Sequence, residues 1–362
     1  MKINKTFLIT TISLGIFLLS GCTLTNNNNQ NQNNNNNTNQ NVQSGNNQAA
    51  VTGNYVGSFY KDNYVWGGAM NLAWTEMSEN IIKALVKLNT TDPTALAMVD
   101  KFNNAVFTKN DLDEASYYIK SGYGQSTVDM INKESRAKFP SKSFSDLNLT
   151  LAPSDFIAYA YFLKQVEYQT QFEEKDVQFN GQTVKGFHVK ANTDQRNNIQ
   201  VLQYTSDDKF IIALHLKDDG DQLILAKGYN TKDPTEVVNA VRQVANEKVG
   251  YGIADQEKFE MPKLHLDYSR SYQELINKSF ANQGFAGYLL SQMFENIKFD
   301  MDQKGARVEN EAGIFGVTSL PVKPPVIRNF ILDKPFWVVM KRTSSQNPYF
   351  LLGVNNDNLM IK

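Results

Sequence analysis

An α+β fold of large, mostly antiparallel or mixed sheets packed with helices is predicted for this 362-residue chain by three observations. Helical periodicity is confined to a few stripes, most of them before Pro153. Strand-like segments dominate after Pro153 and do not alternate regularly with helices, as a parallel βαβ design would require. No repeat of solenoid length and no second polar linker interrupts residues 54–362, so they read as one domain.

The elements follow in order. Met70, Ala73, Met77, Ile81 and Leu85 recur at spacings of three and four, which predicts a helix with one buried face over Asn63 to Leu88. Leu112 to Ile119 and Ser126 to Phe139 are further helical candidates. Phe156 to Leu163 is an unbroken apolar run of strand length, suited to a strand buried on both faces. Val177 to Phe187 alternates around Asn180-Gly181, a hairpin signal. Ile199 to Tyr204 and Phe210 to Leu216 flank a turn at Ser206 to Asp208, and Leu223 to Leu225 begins another strand. The acidic Asp218-Asp219-Gly220-Asp221 lacks the spacing of a calcium loop and reads as a solvated turn. Pro234 opens a helix through Val244, and Phe259 to Leu266 returns to strand. Ile297, Phe299 and Met301 alternate with Lys298, Asp300 and Asp302, as on a half-exposed strand. Gln303 to Lys323 has no pattern, and a loop of that length inside a domain is usually functional. Val326 to Phe330, Phe336 to Met340 and Tyr349 to Val354 close the chain as strands.

Composition removes several function classes. With 36 basic and 37 acidic residues and a net charge of −1, no basic footprint for nucleic acid exists. One cysteine excludes a disulfide framework and a multi-cysteine zinc site. His188, His215 and His265 are too scattered to suggest a metal centre, so neither metal nor cofactor is expected. No nucleophile elbow, zinc-protease helix, phosphate loop or dinucleotide fingerprint occurs, so an enzyme is not expected.

Lys2 and Lys5 precede an apolar run from Phe7 to Leu19, too short for the roughly 20 residues that span a bilayer and suited to an export signal. Leu19-Ser20-Gly21-Cys22 resembles the lipobox of bacterial lipoproteins. The resemblance implies a signal peptide over 1–21, lipidation of Cys22, and a chain anchored to the bacterial membrane outside the cytoplasm. Residues 22–53 are then the anchor and a tether. The tract is nearly all Asn and Gln, without charge or apolar content to offset the entropy of ordering.

The C-terminal third resembles the serpin family. Asp302-Gln303-Lys304-Gly305 is similar to its hinge motif, with Gln303 where a glutamate is usual. Leu320-Pro321-Val322-Lys323-Pro324-Pro325 is similar to the stretch around and after the scissile bond. Asp333-Lys334-Pro335-Phe336-Trp337-Val338-Val339-Met340 and Phe350-Leu351-Leu352-Gly353-Val354-Asn355 resemble the closing strands. Ile131-Asn132, Leu151-Ala152-Pro153-Ser154 before Tyr161-Phe162, and Met261-Pro262-Lys263-Leu264 fall in the family's order. The likeness covers residues 125 to 362, and more weakly begins at Asn63. Departures lie at the shutter: Gly67-Gly68 stands for a Ser-Pro pair, Ala158 for an asparagine, Val166 or Tyr168 for a tryptophan, and Glu295 for a histidine.

The resemblance implies a serpin-like fold with an exposed reactive-centre loop, and a monomeric, single-use inhibitor. Its partners would be serine proteases, with cysteine proteases a second class. The protease attacks the loop, an acyl-enzyme forms, and the cut loop inserts into the main sheet as a new strand. The hinge is then Gln303, Gly305, Ala306, Val308, Asn310 and Ala312. Ala306, Val308, Asn310, Ala312 and Ile314 have the parity that faces the core, while Arg307, Glu309 and Glu311 face outward, which permits insertion. The reactive loop is Thr318, Ser319, Leu320, Pro321, Val322 and Lys323. Counting from the hinge puts the scissile bond near Ser319-Leu320, and aligning the prolines puts it nearer Pro321 to Lys323. The alternative is a non-inhibitory serpin-fold binding or structural lipoprotein whose loop is merely cut as a substrate.

Overall fold

The computed structural model describes residues 9–21 through their backbone, and residues 54–191, 193–244, 252–304 and 327–362 in full. In chain order the strands are β1 (Ile9–Gly21), β2 (Ser58–Tyr60), β3 (Asn63–Gly67), β4 (Tyr117–Tyr123), β5 (Phe156–Val166), β6 (Glu173–Phe179), β7 (Gln182–His188) and β8 (Ile199–Ser206). They continue as β9 (Lys209–Leu214), β10 (Asp221–Lys227), β11 (Lys258–Pro262), β12 (Leu264–Ser271), β13 (Tyr288–Met301), β14 (Asn329–Ile331), β15 (Phe336–Arg342) and β16 (Pro348–Val354). The α-helices among the described residues are α1 (Ala69–Glu76), α2 (Pro93–Asn103), α3 (Gly124–Lys138) and α4 (Pro234–Val244).

Three sheets result, in the orders β12-β13-β1-β5-β4, β2-β3-β16-β15-β10-β9-β8 and β14-β11-β7-β6. All pairings are antiparallel except β11 with β14. The α+β class with large, mostly antiparallel sheets is therefore borne out. β5 is buried on both faces, as its unbroken apolar run requires. Phe156, Ala158, Ala160 and Phe162 point into the main core, while Ile157, Tyr159 and Tyr161 meet Val128 and Ile131 of α3. Asn180 and Gly181 both have positive φ (48° and 80°), which the tight turn between β6 and β7 demands. α4 spans Pro234–Val244, the range read from the sequence.

Four readings are corrected. The first helix does not start at Asn63: Asn63–Gly67 is a fully buried strand paired with β16, and the helical turns run from Ala69 to a π-helical segment ending at Ile82. Its aromatic and β-branched Tyr64-Val65-Trp66 favours a pleated surface, and tertiary pairing overrides the weak helical stripe. Leu112 to Ile119 is not a helix. Thr108 and Asp113 cap two short 3-10 turns, and Tyr117 enters β4 alongside β5. Phe259 to Leu266 splits at Lys263 into β11 and β12, which belong to different sheets. In the acidic turn, Asp218 and Asp219 are exposed but Asp221 is buried.

Candidate functional site

The centre of the five-stranded sheet is a slot between β5 and β13, filled by β1. β1 is antiparallel to both neighbours, pairing from Thr11–Phe299 to Gly21–Tyr288 on one side and from Ile9–Val166 to Leu19–Phe156 on the other. Its first residues therefore lie at the Met301 end of β13. A central strand needs backbone partners on both edges and uncharged residues, and Ile9 to Gly21 has no charge. Gly15 stands between Ala160 and Glu295, and α1 packs beneath β1 and β5.

Two buried polar groups border this slot. Lys164 of β5 reaches Asp221 of β10 at 2.6 Å, an ion pair joining the central sheet to the seven-stranded one. Burial raises the Asp221 pKa above its ordinary 3.8, with Lys164 opposing the rise. Glu295, at the shutter position of the resemblance, is 4% exposed and accepts a hydrogen bond from the Tyr272 hydroxyl at 2.8 Å. Burial drives the Tyr272 phenol well above its ordinary value. Gly68 has a packing reason to be glycine: a Cβ there would lie 2.2 Å from the Phe107 ring. Its N–H donates to the Tyr349 carbonyl, tying the start of α1 to β16.

The segment read from sequence as a hinge begins directly after β13. Asp302 folds back to accept from the Lys304 N–H at 2.8 Å, and its burial raises the carboxyl pKa. Gln303 is 3% exposed; its Nε2 donates to Glu174 Oε1 at 2.6 Å and its carbonyl accepts from the Phe172 N–H at 2.9 Å. Lys263 also donates to Glu174 at 2.7 Å and holds that carboxyl below its usual range. Gln303 Oε1 is buried without a partner among the described residues. Beside this anchor opens a cavity of about 600 Å³ lined by Lys263, His265, Asp300, Asp302 and Met360. On the outward face, His265 Nδ1 meets Asp300 at 2.6 Å and Lys298 meets Asp267 at 3.2 Å, so β12 and β13 carry two cross-strand charge rows.

Of the hinge and loop residues singled out from sequence, Gln303 lies within the described residues, just after β13. Gly305, Ala306, Val308, Asn310, Ala312, Thr318, Ser319, Leu320, Pro321, Val322 and Lys323 lie outside the described residues, as does Cys22. Three contributors escaped the sequence reading: the 9–21 strand, Glu174, and the Lys164–Asp221 pair. Only Lys164 left a trace, as the first charge after an eight-residue apolar run.

Neither a family model nor a curated protein matches the chain. Solved structures align with it at low identity. Serpin48, a highly specific serpin of the insect Tenebrio molitor, is 11% identical over 81% of this chain and 92% of its own, with a TM-score of 0.43. Human thyroxine-binding globulin is 11% identical over 81% and 92%, with a TM-score of 0.45. Human glycosylated kallistatin is 13% identical over 81% and 91%, also at 0.45. At these identities nothing about those proteins' ligands or targets transfers to this chain.

Proposed function

We propose that the chain is a serpin-family lipoprotein of the cell surface that inhibits serine endopeptidases by loop cleavage and strand insertion. The observation that carries this reading is the slot: the central sheet takes a strand between β5 and β13, antiparallel to both and entering at the hinge end. A hairpin leaving β13 through the hinge would run in that same direction.

The register can be worked out. A four-residue turn over Asp302–Gly305 sets Ala306 opposite Met301, Val308 opposite Phe299, Asn310 opposite Ile297 and Ala312 opposite Glu295. Met301, Phe299, Ile297 and Glu295 are the buried side of β13, so this turn length would set the parity inferred from the sequence toward the core. The outward residues then extend the charge rows: Arg307 falls beside Asp300, itself beside His265, and Glu309 falls beside Lys298, itself beside Asp267. Opposite charges in direct cross-strand pairs favour the inserted form by about 0.2–1 kcal/mol each. In the same register Ser319 comes opposite Tyr288, the far end of the 14-residue β13. A cut after Ser319 therefore lets the whole strand fill the slot, which favours that register over Pro321 to Lys323.

The chemistry belongs to the protease. Its serine attacks the loop carbonyl, the amine side departs, and the acyl-enzyme is carried off as the released strand pairs on both edges. The chain's own contribution is the free energy of that pairing, set against release of Gln303 from Glu174. A second reading, a loop cut only as substrate, is favoured by one residue. Asn310 would enter the core opposite Ile297, where an unpaired amide costs about 1–3 kcal/mol. The test is to incubate the processed chain, starting at residue 22 and carrying Cys22→Ser, with elastase-, subtilisin- and trypsin-like proteases. The inhibitor reading expects SDS-resistant complexes; clean turnover of every protease contradicts it.

A further inference from the structure

We infer that the leader strand is a built-in blocker: while residues 9–21 remain attached, they occupy the slot between β5 and β13, and their removal arms the domain. The inference rests on the insertion reading above and names its regulation. The slot's ligand class is an uncharged, extended, largely apolar peptide running antiparallel to both neighbours, and β1 is such a peptide in cis.

Three observations support it. β1 pairs along nearly its whole length with both β5 and β13, so a folded chain that keeps its leader has no free edge at the centre of the sheet. The occupied positions are those the loop needs: Gly15 holds the place between Ala160 and Glu295 that the hinge register assigns to Ala312. Ile9 to Gly21 also combines β-branched residues with a lack of charge. These properties suit a central strand as well as an export signal. Cleavage before Cys22 would leave β5 and β13 facing each other across a gap, with backbone N–H and C=O groups unpaired beside an apolar core. Open edges of that kind drive strand addition. Molecules that fold before processing are then inert, and those that lose the leader are poised.

The experiment uses the full chain with Cys22→Ser, with and without Ile12→Pro plus Gly15→Pro, since proline cannot donate to a central ladder. Hydrogen exchange over 156–166 and 288–301 reads the slot directly. We expect strong protection without the prolines and roughly tenfold faster exchange with them. A synthetic peptide of residues 9–21 should restore protection to the proline variant and leave the parent unchanged. Protease trapping should be absent in the parent, present in the variant, and suppressed again by the peptide. Equal protection in both chains, or equal trapping by both, overturns the blocker. If the slot opens and takes the peptide but no protease is ever trapped, the blocker stands and the inhibitor reading falls. If the proline variant fails to fold, Gly15→Cys with Ala160→Cys in the Cys22→Ser chain gives a second reading. A disulfide between them is expected, and its failure to form overturns the proposal.

Discussion

The two large sheets are built on different terms. In the seven-stranded sheet, β9, β10, β15 and β16 have buried apolar centres, and β9–β10 and β15–β16 are hairpin neighbours in the chain. Its charges sit toward strand ends, where Lys227 ties Asp208 and Asp333 together. The five-stranded sheet has at its middle a strand from the far end of the chain. That strand's neighbours carry small or polar residues at buried positions: Ala158, Ala160, Lys164 and Glu295. The first sheet is fixed by local connection and dense apolar packing. The second has a central strand that no hairpin joins to either neighbour. On the proposed function, one sheet is scaffold and the other exchanges its central strand.

The sharpest way to break this contrast is a matched pair of substitutions. Val339→Asp places an unpaired charge in the fixed sheet and should cost more than about 4 kcal/mol, seen as failure to fold cooperatively in urea. Ala306→Arg should leave native stability within about 0.5 kcal/mol, because on the insertion reading position 306 is buried only after the loop is cut. It should abolish protease trapping by the processed chain. A trapping Ala306→Arg variant would show the parity to be wrong.

Next in size is the link between the sheets. Lys164→Met leaves Asp221 buried without its cation and should cost about 3–5 kcal/mol by denaturant titration. The double variant Lys164→Met with Asp221→Leu should return close to the parent.

A smaller effect is pH-dependent. Lys142 donates to Ser135 and Tyr159 on the α3 side of β5, and burial depresses its pKa from 10.5 to about 8. A depressed folded-state pKa gives stability that is present above about 10.5 and lost as pH falls through about 8. Lys142→Met should therefore gain on the parent by about 1 kcal/mol as pH drops from 10.5 to 7.5, compared by urea midpoints at each pH. A gain in the opposite direction would mean that the two hydrogen bonds outweigh desolvation.

The smallest effect is in the charge rows. Lys298→Glu should destabilise the loop-cleaved form by about 0.2–1 kcal/mol more than the uncut form, and Glu309→Lys should recover that difference. Lack of coupling between the two in the cleaved chain would remove the register worked out from Asp302–Gly305.

Much of the fold was readable because local signals and tertiary demands agree. Pro234 opens α4, Asn180-Gly181 sets a turn with two positive φ values, and the apolar 156–163 run sets a strand buried on both faces. Where they disagreed, the sequence misled. Asn63–Gly67 and Tyr117–Tyr123 become strands because β16 and β5 offer partners that no local pattern reveals. Asp221 looked like turn solvent exposure until Lys164, 57 residues earlier, was placed beside it. At the candidate site, Gln303 is held by Glu174, which lies 129 residues away and has no sequence mark. Residues 9–21 read as an export signal because an uncharged apolar run satisfies a membrane and a central strand by the same chemistry.

The most direct test of strand exchange is the melting temperature of the processed chain before and after a single cut between Thr318 and Lys323. Insertion adds on the order of ten paired backbone groups, at about 0.5–1.5 kcal/mol each, so melting should rise by at least roughly 10 °C. A loop cut cleanly at that place, with the melting temperature unchanged, would contradict the account.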